Sequence, residues 1–284
     1  MGRNDKIAGM VTMIATASLW SLGGLFIKVI DWNPFAIAGI RSVIASLLIL
    51  AFLRKPKITM SFPQVGAAVA NALTMLLFVV ANKTTTAANA ILLQYMAIVF
   101  TAFIGAPLLK ERIRAEHWIS ILFVMAGMTI MFANKLVSGG IFGDAAALAS
   151  AVTFSLYFVF MRMQKDGSPL ESNLLAHWFA AGTCLTVSLF LPAPQFTEKS
   201  VAAILVLGVA QIGVPAILIA YAIKRISAIS ANLIAVIEPL LNPLWVFLVV
   251  GENPGMNTMI GGSVILIAVT WVSVIGARRS VTGG

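Results

Sequence analysis

Residues Gly9 to Ile30 read GMVTMIATASLWSLGGLFIKVI, and residues Gly143 to Gln164 read GDAAALASAVTFSLYFVFMRMQ. Laid on each other at a shift of 134, they share Gly9/Gly143, Ala15/Ala149, Ala17/Ala151, Ser21/Ser155, Leu22/Leu156 and Phe26/Phe160, with Trp20 on Phe154 and Lys28 on Arg162. Crossing ~30 Å of hydrocarbon takes about 20 mostly apolar residues, and each stretch is that long. A membrane-spanning segment therefore occurs twice at a fixed interval, which points to a duplicated membrane protein.

The whole chain agrees. Of its 284 residues 60% are hydrophobic and 10% charged, against roughly a quarter charged in a soluble domain, so a water-facing globule and a disordered chain are both excluded. Apolar runs bounded by charge, Pro or Gly fall at 7–30, 34–53, 63–82, 87–109, 115–133, 143–163, 171–192, 202–222, 228–249 and 257–276. The expected fold is thus an all-α membrane protein of ten transmembrane helices, with repeats at 1–138 and 139–284. Because each half holds five spans, an odd number, the second enters the membrane from the opposite side, and inverted repeats of this kind enclose a site near the midplane. The first span starts like a secretory signal, after Arg3 and Lys6, but its apolar run is too long for a cleaved one and is expected to stay.

Lys and Arg are unevenly divided. Fourteen fall in the segments on one side, including Lys6, Arg54, Lys110, Arg162, Arg225 and Arg278, and only Lys28, Lys83, Lys135 and Lys199 on the other. The positive-inside rule then places both termini in the cytoplasm. The net charge of +9 is accounted for by this topology, so nucleic acid is not an expected partner and the lipid bilayer is. One cysteine, Cys184, and two histidines, His117 and His177, leave neither an internal disulfide nor a zinc-like cluster; no cofactor or metal is expected.

Trp20-Ser21-Leu22-Gly23 followed by Lys28, Pro34 with Arg41, the segment Ile229 to Val250 with Glu238-Pro239, and then Gly251-Glu252 occur in this order. The sequence resembles the EamA-type branch of the drug/metabolite transporter superfamily, and within it the bacterial inner-membrane exporters of amino acids, including aromatic ones. The resemblance implies a secondary-active exporter in the bacterial inner membrane, working as monomer or homodimer. The first half departs from the family pattern, carrying Gln94-Tyr95 where a Glu-Pro pair is common, so a mechanism built on two symmetric carboxylates lacks its first member.

Ionisable groups at membrane depth are costly and must face the bundle interior or water. Arg41 is either an anchor for a substrate carboxylate or an arginine that snorkels outward or caps backbone carbonyls. Glu238 precedes Pro239, with Asn242 and Pro243 just beyond; it binds an ammonium or exchanges a proton, or else is a protonated acid that hydrogen-bonds the carbonyls that the prolines free. His177 reads as a packing histidine or a pH sensor. Trp20, Ser21, Gln94, Tyr95, Phe154, Ser155, Tyr157, Gln211 and Asn232 complete the candidate substrate-binding set, since small-ligand sites combine aromatic walls with a few placed polar groups. Trp32 and Trp118, at span edges, read as interfacial belt residues. The runs at 115–133 and 257–276 are nearly featureless and read as scaffold or dimer contact.

Other classes fit less well. No phosphate-binding loop is present, and one Arg, one Glu and one His on separate helices do not make an enzyme's nucleophile, base or metal centre. No ring of like charges marks a channel, and a nucleotide-sugar carrier would carry several inward cations for its phosphates. The reading is a non-enzymatic exporter of amino acids and related amphipathic metabolites, with a multidrug or hydrophobic-cation exporter of the same fold as its rival.

Overall fold

The computed structural model describes residues 3–133, 140–250 and 255–282, and among these every regular element is helical. In chain order they are α1 (Arg3–Trp20), α2 (Gly23–Val29), α3 (Pro34–Leu53), α4 (Phe62–Thr84), α5 (Ala87–Gln94), α6 (Ala97–Phe100), α7 (Ala106–Leu109), α8 (Ala115–Phe132), α9 (Ile141–Met163), α10 (Pro169–Ser188), α11 (Glu198–Val206), α12 (Val214–Ala222), α13 (Ala228–Ala235), α14 (Ile237–Val250) and α15 (Gly255–Thr282). Lys135, Glu252 and the expected repeat boundary at 138/139 lie outside the described residues, as do the side chains of Lys28, Asn242 and Pro243.

Eight helical stretches are long and apolar enough to cross a membrane: Asn4–Ile27, Pro34–Leu53, Phe62–Ala81, Asn89–Leu109, Ala115–Phe132, Ile141–Met163, Glu198–Ala222 and Gly255–Ile275. The other two expected spans are also helical. One is α10, whose first half carries Glu171, Ser172, Asn173 and His177 and is correspondingly less apolar. The other is the pair α13 and α14, interrupted after Ala235, in which Ala228–Leu241 is a shorter apolar helix.

The interruptions have local causes. Proline has no N–H to give the carbonyl four residues back. Pro107 and Pro215 each follow a π-helical turn, Thr101–Gly105 between α6 and α7 and Leu207–Gly213 between α11 and α12, where the wider ring absorbs the lost bond. Pro239 does the same damage to Ala235 O, and the chain breaks between α13 and α14. Four helix starts carry side-chain caps: Asn33 Oδ1 accepts from Ala36 N at 2.8 Å ahead of Pro34, and the hydroxyls of Thr86, Thr197 and Ser227 cap α5, α11 and α13.

Packing follows the repeat. The main pairings are α4 on α9 and α1 on α12, α4 on α10 and α3 on the Leu207–Gly213 turn, with α3 on α10 and α8 on α15. Exchanging the first-half elements for their second-half counterparts turns the first pairing into the second and the third into the fourth, and maps the last two onto themselves. Lipid supplies no hydrophobic drive between helices, so contact depends on backbones approaching over small residues. The matched glycines serve this purpose in both halves: a Cβ on Gly9 would stand 2.7 Å from Arg225 Cβ, and one on Gly143 2.6 Å from the Thr84 carbonyl carbon. Helices α8 and α15 meet through Gly127 and Gly261, where a Cβ on Gly261 would collide with Gly127 O and Met131 N; the expected scaffold helices thus pack on each other.

Trp32 departs from the interfacial belt expected of it. It is 8% exposed, donates from Nε1 to Gln195 O at 2.6 Å and meets Phe196 edge-on, so it fastens the connection before α11 rather than facing lipid. Trp118 is 37% exposed beside Phe103.

Overpacking a tight contact costs about 1–3 kcal/mol. Gly261→Val should therefore lower the apparent melting temperature of the detergent-solubilised protein, whereas Gly262→Val, whose Cβ would meet only Leu240 Cδ2 at 3.5 Å, should leave it near the parent value.

Candidate functional site at the helix breaks

The breaks between α5 and α6 and between α13 and α14 face each other. Ala235 O has lost its own helical donor to Pro239, and the Tyr95 hydroxyl stands 3.3 Å from it and 3.0 Å from Glu238 Oε2. A hydroxyl has one proton. If Glu238 is ionised, Tyr95 donates to the carboxylate; if Glu238 is protonated, it donates to the Tyr95 oxygen and Tyr95 donates to Ala235 O. The geometry accommodates both states, with a change of donor between them.

Around this pair the other expected residues form short chains that tie helices together. Gln94 Nε2 donates to Ser150 Oγ at 2.9 Å, and Ser150 Oγ to Thr74 O at 3.3 Å. Asn232 Nδ2 donates to Thr101 Oγ1 at 2.8 Å, and Thr101 Oγ1 to Ser155 Oγ at 3.1 Å. Tyr157 donates to Asn173 Oδ1 at 2.8 Å while Asn173 Nδ2 donates to Ala216 O at 3.0 Å. The Trp20 ring lies 6.4 Å from Phe154, which stacks on Tyr157 at 6.3 Å, and Trp245 Nε1 donates to Ser21 Oγ at 2.7 Å. Ser155 and Asn232 are fully buried, and Ser21, Tyr95 and Tyr157 nearly so, while Trp20, Gln94 and Glu238 keep partial exposure.

Among the described residues Arg41 is a cation held within the bundle. Its Nη1 donates to Gln211 Oε1 at 3.4 Å, and Gln211 Nε2 in turn donates to Trp20 O at 3.3 Å, so the π turn that carries Gln211 orients the guanidinium. Among the described residues Arg41 forms no ion pair, and its buried Nε has no partner; nor do Ser42 Oγ, His177 Nδ1 and Asn232 Oδ1. His177 and Glu238 lie within electrostatic reach of Arg41. A guanidinium with five donors and so few acceptors is equipped to receive an anionic group.

All eleven residues expected from sequence fall in or beside these chains. Missed were Thr101, Ser150, Asn173 and Trp245. Asn173 carried a usable signal, an amide in an apolar run; a buried Thr or Ser does not stand out, because such residues commonly satisfy themselves on their own helix, as Thr183 does here with Phe179 O. A groove of about 460 Å³ lined by Asn4, Ile7, Ala8, Val11, Thr12 and Tyr221 lies near the start of α1, and none of the central residues lines it.

The model of the EamA-like transporter family matches the chain twice, over residues 7–133 and 141–274; the chain belongs to this family. It is 26% identical over 263 residues to an uncharacterized transporter of Archaeoglobus fulgidus, covering 92% of this chain and 94% of that one. It is 27% identical to an uncharacterized transporter of Clostridium kluyveri, covering 91% of each. A solved crystal structure, 21% identical, superposes with a TM-score of 0.83 over 96% of this chain and 99% of that one, a likeness of fold. The chain is thus a multi-pass membrane transporter, and its relatives bear transporter rather than enzyme names.

Leaving a buried polar group unmatched costs about 1–3 kcal/mol. Asn173→Ala should destabilise the protein by roughly that amount, while Tyr157→Phe combined with Asn173→Ala should cost less than the sum of the two single changes in a double-mutant cycle of thermal unfolding.

Proposed function

We propose that this chain is a secondary-active exporter of amino acids and related small amphipathic metabolites in the bacterial inner membrane. Ten spanning helices form two inverted five-helix repeats, 1–138 and 139–284, with both termini cytoplasmic, and transport proceeds by alternating access to the centre. The observation that carries the reading is the meeting of two broken helices at Tyr95, Ala235 and Glu238, because discontinuous helices with freed backbone are what transporters use to form a midplane site. The matched pairings of the two halves support the repeat.

The charges the centre offers support this substrate class. Arg41 has unspent donors for a carboxylate, Glu238 can meet an ammonium, and Trp20, Phe154 and Tyr157 supply an aromatic wall. A zwitterion satisfies both charges, whereas a hydrophobic cation would leave Arg41 unmatched and be repelled by it; the multidrug reading is weaker for this reason. Export requires Glu238 to be unloaded on one side and reloaded on the other, and the change of donor at Tyr95 gives protonation a structural correlate.

Purified protein in liposomes should show saturable flux of labelled amino acids, and none across a broad panel would sink the proposal. Glu238→Gln should retain exchange but lose both uphill flux and its dependence on pH between about 5 and 8. A wild-type rate and pH profile in that variant would remove the proton-coupling role.

A further inference from the structure

Away from the centre, the ends of four helical segments converge on one ion pair. Glu111 follows α7, where Lys110 adopts a left-handed turn (φ 53°, ψ 30°) that a non-glycine residue enters only at some cost. Its Oε1 accepts from Arg162 Nε at 2.8 Å, and its Oε2 from the backbone N–H of Ala228, the first residue of α13, at 3.2 Å. Arg162, in the last turn of α9, also donates from Nη1 to Ile223 O at 2.8 Å, just past the end of α12. The two side chains are only 22% and 14% exposed. The carboxylate thus sits on the positive end of one helix and the guanidinium near the negative ends of two others, where each charge is favoured.

This is one of two ion pairs among the described residues; the other, Arg114 with Glu116, joins near neighbours in sequence. Glu111 belongs to the first half of the chain, and Arg162, Ile223 and Ala228 to the second. Helix α13 links the pair to the centre: it runs unbroken from Ala228 past Asn232 to Ala235 at the break, about 12 Å at 1.5 Å per residue. Moving the first turn of α13 therefore moves the residues that hold Thr101 and Tyr95.

We propose that Glu111 and Arg162 form a latch between the two halves that holds the centre closed on the side of the membrane where they lie, and that opening this side requires the pair to part. The latch rests on the alternating-access reading, though not on the identity of the substrate. Closed, it joins the halves at three helix ends. Open, it frees α13 to tilt and exposes the polar chain behind it.

The test uses a single reporter thiol, Ala231→Cys in a Cys184→Ser background, one turn behind the latch on α13, and a membrane-impermeant maleimide applied from the side bearing Glu111. Glu111→Gln and Arg162→Gln should each raise the labelling rate about tenfold by shifting the population toward the open state, while Arg162→Lys, which keeps the charge, should stay near the parent rate. Labelling is compared only among variants that elute as a single species, so either Gln variant alone decides the matter. Unchanged labelling in a Gln variant, or labelling that rises as much in Arg162→Lys, overturns the latch. Amino-acid flux in the same liposomes separates the two claims: expected labelling without flux removes the amino-acid reading and upholds the latch, and flux with unchanged labelling removes the latch alone.

Discussion

A carbonyl that loses its hydrogen bond inside a membrane has no water to turn to. Pro239 imposes this on Ala235, and a hydroxyl from the opposite half of the molecule, that of Tyr95, stands at the α13–α14 break and donates to the freed carbonyl when Glu238 is protonated. Much of the centre depends on that demand. With Tyr95 in place, Glu238 gains a partner, and the broken helices of the two halves are held face to face. The prolines at 107 and 215 exert the same demand more mildly, met by a π turn in each case; these turns present Thr101 to Ser155 and Asn232, and Gln211 to Arg41 and Trp20.

Small residues set the distances at which such bonds become possible. Gly9 and Gly143 stand at matching places in the repeat and let α1 and α9 approach α12 and α4 closely. On the far flank Gly127 and Gly261 close α8 against α15, where Ser120 donates to Ala268 O at 3.3 Å. The bundle is therefore held by van der Waals contact over glycines and alanines, with polar chains added where a helix is broken.

How much of this was legible in the sequence depended on how unusual each residue is in lipid. Spans, repeat and the central residues Arg41, Gln94, Tyr95 and Glu238 stood out because polar or prolyl residues in apolar runs are expensive and few. Their partners did not. Thr101 and Ser150 look like any small hydroxyl residue, and Trp245 like any buried aromatic. Arg162 reads as one cation of a charged membrane edge, since only three-dimensional convergence brings it to Glu111 and Ile223 O, and Glu111 to Ala228 N. Trp32 was misread for a related reason: a tryptophan at a span edge satisfies the belt pattern whether it faces lipid or, as here, a neighbouring loop.

The polar first half of α10 has a consequence for how the chain is made. Glu171 accepts from Lys57 N, Ser172 from Gln164 Nε2 and Asn173 from Tyr157, all contributed by segments that precede α10 in the chain. Alone in lipid these groups would be unmatched. The order of synthesis, with α3, α4 and α9 emerging first, supplies these partners before α10 arrives, and α12 later adds Ala216 O as the acceptor for the Asn173 amide. The polar half of α10 is thus matched to partners that precede it and follow it in the order of synthesis.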